Sequence, residues 1–437
     1  MKFAFASALI VAVIFFSTGR SYASTLEEEL AKLIVEHPNI RAGRKSVEAT
    51  RQDIDIKKAA FYPVVTATGE TGVEYIDSPA ERAKRDSSKV WLNTKKVAGL
   101  TITQNLFNGY ETTTQVKMAR MNKAISELSL EGTIQNTLFE GINAYIDVLR
   151  QKRLIELARL NENTIVRQLN LEDERVQRGS GIAVDVLQAK SRLQIAKERR
   201  ITFEGALEDA ISRYYQIFNR PPDLESMTDP VPPVEMIPSE LVKAIDIAKR
   251  ENPAISNANA TTEVARERQS VFRSEYYPNF DLVGAWNYER DNNGVTDTRR
   301  DYSMTLRSTW DLFSGFSTKA ELAKAAYEYR ASKDNHEYVI RKIAEQTKLA
   351  WQALITSRKR LELLENAVNI AAEVFQSRKR LREAGKETVI NVLDAENEIN
   401  NAQINYIAAS YDERTAAYQL LQAMGRLSPT YLALELP

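Results

Sequence analysis

This sequence states one pattern twice. His37-Pro38-Asn39-Ile40 opens a run rich in Ala and Lys that closes on Ala60-Phe61-Tyr62-Pro63. An alternating segment follows and ends in Gln104-Asn105-Leu106-Phe107-Asn108-Gly109. In the second half the order returns as Asn252-Pro253-Ala254-Ile255, Glu275-Tyr276-Tyr277-Pro278 and Trp310-Asp311-Leu312-Phe313-Ser314-Gly315. Pro38 and Pro253 are 215 positions apart, as are Pro63 and Pro278, whereas Leu106 and Leu312 are 206 apart. A third landmark keeps the offset of 206: Gly179 with Val184-Asp185-Val186-Leu187-Gln188-Ala189, against Gly385 with Ile390-Asn391-Val392-Leu393-Asp394-Ala395. Landmarks repeated in one order mean a structural half built twice, with the difference in length absorbed before Leu106. The halves span 24–219 and 239–427, joined by 220–238, which holds Pro221, Pro222, Pro230, Pro232, Pro233 and Pro238 and reads as an extended link. Residues 428–437 read as a tail.

Within each half the period changes. Residues 26–36 and 39–62 have helical spacing, and Pro63 ends the second run. From Val64 the period is two: Val65, Ala67, Gly69, Thr71, Val73 and Tyr75 alternate with Thr66, Thr68, Glu70 and Glu74. After a polar loop, Ala98, Leu100, Ile102 and Leu106 alternate with Gly99, Thr101, Thr103 and Asn105. The second half does the same with Phe280, Leu282, Gly284, Trp286 and Tyr288, then Tyr302, Met304, Leu306, Trp310 and Leu312. This predicts two β-hairpins, with strands at about 64–76, 97–107, 279–290 and 301–313. Each strand has about ten residues, the length that crosses a bilayer at a tilt.

The remainder is helical. No proline interrupts Thr112 to Arg178 or Thr318 to Ala384, and roughly 65 helical residues make a rod about 100 Å long. Leu138, Ile142, Tyr145, Leu149, Leu154, Leu157 and Leu160 trace one seam; Trp351, Leu354, Leu361, Leu364, Val368, Ala371 and Phe375 trace the other, at coiled-coil spacing. Each rod turns at glycine, Gly179 and Gly181 or Gly385, into a second helix, giving long helical hairpins over 108–219 and 314–427.

Composition narrows the function. The chain has 437 residues, no net charge, no cysteine and two histidines, His37 and His336, far apart in sequence. A thiolate metal site is impossible, a histidine cluster is not expected, and nothing suggests a nucleic-acid partner. No nucleophile motif, phosphate loop or metal-ligand spacing occurs, so neither an enzyme nor a cofactor is expected. Lys2, the apolar Phe3–Phe16 and the small residues around Ser21-Tyr22-Ala23 read as a signal peptide over 1–23. No later apolar run reaches the ~18–20 residues of a membrane helix, so any crossing must be made by strands. Four strands cannot close a barrel, and open strand edges cost several kcal/mol per unpaired group in lipid. The chain must then complete its barrel with other copies; three would supply 12 strands, a water-filled size.

The ordered set of Tyr-Pro, hairpin, Leu-Phe-x-Gly, long helix, Gly turn and Val-Asp-Val-Leu, given twice after a signal peptide, resembles the TolC family of outer-membrane efflux and secretion channels. The resemblance covers essentially the whole mature chain. It implies a homotrimer in outer-membrane lipid, with a 12-stranded β-barrel continuous with a periplasmic α-helical barrel. It also implies a periplasmic adaptor (membrane fusion protein) and an inner-membrane ABC or RND-type transporter. Pro63, Gly109, Pro278 and Gly315 would mark the strand–helix junctions. The family's gate lies at the hairpin tips. There Asp394 keeps one of two acidic positions and Asn391 is neutral at the other, so three Asp394 carboxylates would form a ring able to select cations. Asp185 matches an aspartate that helps hold the gate closed, while the family's partner positions fall near Arg382 and Glu387. An Arg382–Asp185 pair is the expected substitute. Export in the type I secretion manner is the preferred function; small-molecule efflux is the alternative within the family. A periplasmic coiled-coil adaptor without a pore is the rival outside it, although four alternating strands of bilayer length have no use there.

Overall fold

The computed structural model describes residues 25–79, 83 and 91–434. The expected signal peptide and residues 435–437 lie outside them. Each half contributes two short helices, a β-hairpin and a long helical hairpin. The first half is α1 (Leu26–Glu36), α2 (Pro38–Lys58), β1 (Val64–Ile76), β2 (Trp91–Asn108), α3 (Glu111–Gln177) and α4 (Ala183–Phe218). The second is α5 (Leu241–Glu251), α6 (Pro253–Ser274), β3 (Asn279–Asn292), β4 (Val295–Thr309), α7 (Ser317–Glu383) and α8 (Val389–Ala423). The duplication reaches the individual caps. Pro38 and Pro253 occupy the first turns of α2 and α6, where a missing N–H costs nothing. His37 Nδ1 accepts from Asn39 N at 3.3 Å, and Asn252 Oδ1 accepts from Ala254 N at 2.9 Å. Burial pushes the His37 imidazole below its ordinary value, which keeps the neutral ring that this cap needs.

The hairpins join into one antiparallel sheet in the order β1-β2-β3-β4. Two strands depart clearly from the expected bounds. The second strand starts at Trp91 rather than 97, because Ile76 to Thr71 go on pairing with Trp91 to Lys96. The fourth spans Val295–Thr309, so it starts before 301 and stops short of Leu312. Trp310 leaves the ladder because its indole N–H donates to Tyr276 O at 3.2 Å.

The core lies where the six helices α1, α3, α4, α5, α7 and α8 meet. Leu30, Ile34, Leu138, Ile142, Tyr145, Leu354, Tyr418 and Leu421 are all fully buried there. The seams fade toward the tips: Leu160 is 65% exposed, and Leu361, Leu364, Val368 and Phe375 are half-buried. Helices packed one against the next cannot cover all their sides within one chain. The proline-rich segment is pinned rather than free. Met227 is buried in the core, Tyr145 Oη both donates to Thr228 O and accepts from Thr228 N at 3.0 Å, and Tyr411 Oη donates to Asp229 at 2.7 Å. The tail also packs: Leu432 and Leu434 lie against the core.

Candidate functional site

Residues paired across an antiparallel ladder point to the same face, so the register decides which side chains share a surface. Val65 pairs Ile102, Ala67 pairs Leu100 and Tyr75 pairs Leu92. Leu100 in turn pairs Trp286, and Ala98 pairs Tyr288. Trp286 pairs Tyr302, Gly284 pairs Met304 and Leu282 pairs Leu306. One face is therefore an apolar band running across all four strands. The opposite face carries Thr66 with Thr101, Asp281 with Arg307, Asn287 with Asp301, and Glu289 with Arg299. The apolar band is uncovered: Tyr302, Met304 and Leu306 are 78%, 75% and 65% exposed. Among the described residues, strands β1 and β4 each have a partner on one side only, so both ends of the sheet present unpaired backbone donors and acceptors. Among the described residues, no helix is long and apolar enough to cross a membrane.

At the strand–helix junctions, two consecutive left-handed residues turn each chain from sheet into rod: Gly109 and Tyr110, then Gly315 and Phe316. The non-glycine member of each pair is strained, and an edge-to-face ring contact holds it: Phe107–Tyr110 at 5.4 Å and Phe313–Phe316 at 5.3 Å. Gln104 Nε2 donates to Phe61 O at 3.1 Å. Its repeat equivalent, Trp310, makes the equivalent bond to Tyr276. These bonds tie each Tyr-Pro corner, at Pro63 and Pro278, to the strand beside it. The two glycines differ in surroundings. A Cβ on Gly109 would lie 2.5 Å from Ser274 O, whereas one on Gly315 meets nothing within 4 Å. Gly315→Ala should therefore cost only the left-handed strain, about 1–2 kcal/mol. Gly109→Ala should lower the midpoint of thermal unfolding at least twice as far, since α6 must also move.

At the tips, α3 and α7 end in the same glycine cap. Gly179 and Gly385 have φ of 75° and 73°; Ser180 N donates to Arg175 O, and Lys386 N to Leu381 O, each at 2.9 Å. These bonds satisfy carbonyls that the helix end would leave open. Gly181 lies against the first cap, where a Cβ would come within 2.7 Å of Val176 N.

The expected Arg382–Asp185 pair is not formed within the chain. Arg382 instead donates to Glu172 on α3 at 3.1 Å and to Glu387 O at 3.2 Å. A helical side chain leans back toward its own N-terminus. Arg382 therefore meets α3 at Glu172, one turn short of the tip, and its other bond stays within its own turn, so neither reaches Asp185 in the first turn of α4. Asp185 has no ion-pair partner among the described residues. Asp394 pairs with Arg192 of α4 at 2.5 Å, so in the isolated chain its charge is already matched. Asn391 Nδ2 donates to Glu387 Oε1 at 2.5 Å. Together with the Thr388 N–H and the nearby Arg378, this holds the Glu387 carboxyl below the usual range. Arg199 also donates to Asn401 at 2.9 Å. Two ion pairs and one amide bond thus clasp the first helical hairpin to the second. Their partners Glu172, Arg192 and Arg199 carry no motif, since each sits in an unbroken helical run about 200 positions from its mate.

The fold defines a class: a duplicated chain whose four-stranded sheet has one bilayer-like face and two open edges, mounted on paired helical rods. The outer membrane efflux protein family model matches residues 30–220 and 244–426, and the chain belongs to that family. Its relatives include the outer membrane efflux protein BepC of Brucella suis, 22% identical over 96% of this chain and 89% of that protein. The alkaline protease secretion protein AprF of Pseudomonas aeruginosa is 22% identical over 91% of this chain and 83% of that protein. Among solved structures, CusC superimposes with a TM-score of 0.80 at 14% identity, covering 92% of each chain. The protein is therefore an outer-membrane channel component with a periplasmic helical extension, and not an enzyme.

Proposed function

We propose that three copies of this chain close a 12-stranded barrel in the outer membrane, continuous with a helical tunnel through the periplasm. The carrying observation is the sheet: a continuous apolar band that no described residue covers, and, among the described residues, unpaired backbone on both β1 and β4. Pairing β4 of one copy with β1 of the next satisfies both, and closure is the form in which strands tolerate lipid. The helices support the same assembly. Val184, Leu187 and Ile201 on α4 and Leu349, Leu363 and Ile370 on α7 are all half or more exposed, as expected for surfaces that meet neighbouring copies.

The tunnel serves as the exit duct of an export system, taking substrate from an inner-membrane transporter through a periplasmic adaptor. Protein export of the type I kind is the preferred reading, and the likeness to a protease secretion protein supports it. The likeness to BepC, named for efflux, favours small-molecule export as the second reading. Deleting the gene separates them: loss of a secreted protein from the medium supports the first, and hypersensitivity to toxic small molecules supports the second. Cross-linking of the purified chain in detergent tests the assembly. A trimer is expected, and a monomer that stays out of lipid would overturn it.

The clasps hold the periplasmic end closed in this reading. Arg382→Ala removes a charge-assisted bond worth about 1.5 kcal/mol, because Glu172 keeps Arg175 at 2.8 Å. Single-channel recordings should then show about tenfold more frequent opening. Arg192→Ala breaks a more exposed pair of the sort worth about 0–1 kcal/mol and should raise opening less. Asp185→Ala should change it least.

A further inference from the structure

Among the clasps, between Asp394 and Asn401 on α8, lies a carboxyl that the assembly described so far does not use. Glu396 on α8 is 5% exposed, and neither of its oxygens has a hydrogen-bond partner among the described residues. One turn along, Asn400 is 3% exposed, with both side-chain polar atoms unpartnered. The amide of Gln168, on α3, approaches Glu396 without reaching hydrogen-bond geometry, and its own oxygen is also unpartnered. A cavity of about 30 Å³ touches Glu396 and is lined by Asn161 and Ile165 of α3, Arg192 and Arg199 of α4, and Asn397. It is large enough for one water molecule beside the carboxyl.

An ionised carboxylate without partners is among the most costly groups to bury, so the surroundings decide its state. From α3, Arg167 faces it, with Glu172 one turn nearer the tip; from α7, Lys379 faces it. From α4 come Arg192 and Arg199, already engaged by Asp394 and Asn401. Glu172 is likewise engaged, by Arg175 and Arg382. Arg167 and Lys379 favour the ionised form, but loss of water outweighs them and pushes the carboxyl up to about 7.

We propose that Glu396 is a proton-operated latch: protonated, it lets the two helical hairpins close against each other, and ionised, it drives them apart. The sign follows from linkage. With the hairpins closed the group holds its proton up to about pH 7, and once exposed to water it returns toward its ordinary 4.5. The closed arrangement is thus most stable below about pH 4.5. It weakens as pH rises toward 7, by up to about tenfold per pH unit for one proton per chain, and loses nothing more above that. The conducting consequence rests on the channel reading; the loosening of the tips does not.

Two measurements on the purified full chain in detergent or bilayers test it between pH 5 and 8. One is amide hydrogen exchange over 160–200 and 375–405, corrected for the intrinsic pH dependence. The other is single-channel opening. The wild type should lose protection in both tips between pH 5 and 7, by several-fold up to about tenfold per unit, then level off. Glu396→Gln, which keeps the shape and removes the charge, should stay protected and closed throughout, and Glu396→Leu should do the same. Exchange that is flat with pH in the wild type overturns the latch, as does a pH dependence that survives in Glu396→Gln. If the tips loosen on schedule but no conductance is ever seen, the latch stands and the channel reading falls.

Discussion

Met304→Arg should abolish membrane-inserted oligomers, while Thr305→Arg, one residue on, should leave assembly intact and change ion flow. The difference lies in the pleat. Met304 pairs with Gly284 within the apolar band, and Thr305 pairs with Val283 on the opposite face. A cation on a lipid-facing strand near mid-membrane costs about 2–4 kcal/mol, and three copies would each bear it. At 305 the same guanidinium would enter what the proposed barrel makes its water-filled side, where Arg307 already stands opposite Asp281. Heat-resistant oligomers on gels and conductance in planar bilayers read the two effects. Equal tolerance at both positions would mean that the band does not face lipid.

The second large effect is expected far from the membrane. Glu29, on α1, is 5% exposed; it accepts from Tyr214 Oη of α4 at 2.8 Å and pairs with Arg220, just beyond the end of α4. This joins α1 to the end of the first helical hairpin. Arg220→Ala leaves the Glu29 carboxylate buried with only a phenol as partner. That should cost about 3 kcal/mol, the low end for breaking a buried pair, because Arg220 is itself about one-third exposed. Tyr214→Phe should cost about 1–2 kcal/mol by leaving one acceptor site unfilled. Urea unfolding of the detergent-solubilised protein would rank the two. Equal losses would show that the cation holds the carboxylate no more strongly than the hydroxyl does.

Much of the architecture was legible because its signals are local. The 215- and 206-residue offsets exposed the duplication, and proline and glycine marked where elements begin and turn. A period of two assigned the strand faces, and the ladder register then joined those faces across strands. The strand ends were less legible. Trp91–Lys96 carries too many polar residues to look like half a sheet, and it joins because Thr71–Ile76 is there to pair with it. Trp310 fits the alternation of β4, yet a bond to a carbonyl 34 positions away takes it out of the ladder. The tips were the least legible part. Asp394 and Arg382 stood out beside the glycine turns, but their partners Arg192 and Glu172 did not. A charged residue on a long helix looks the same in sequence whether it faces water or a second helix.

By itself, the sequence determined the repeated half, the order of its elements, the amphiphilic character of each strand and the places where each rod must turn. All of these follow from steric and hydrophobic preferences acting over a few residues. Only the tertiary structure decided which charges are matched, that the proline-rich segment is clamped to the core, and that Glu396 is buried without a partner. These depend on which faces of separate helices meet, and residues hundreds of positions apart set that jointly through packing that no local pattern encodes.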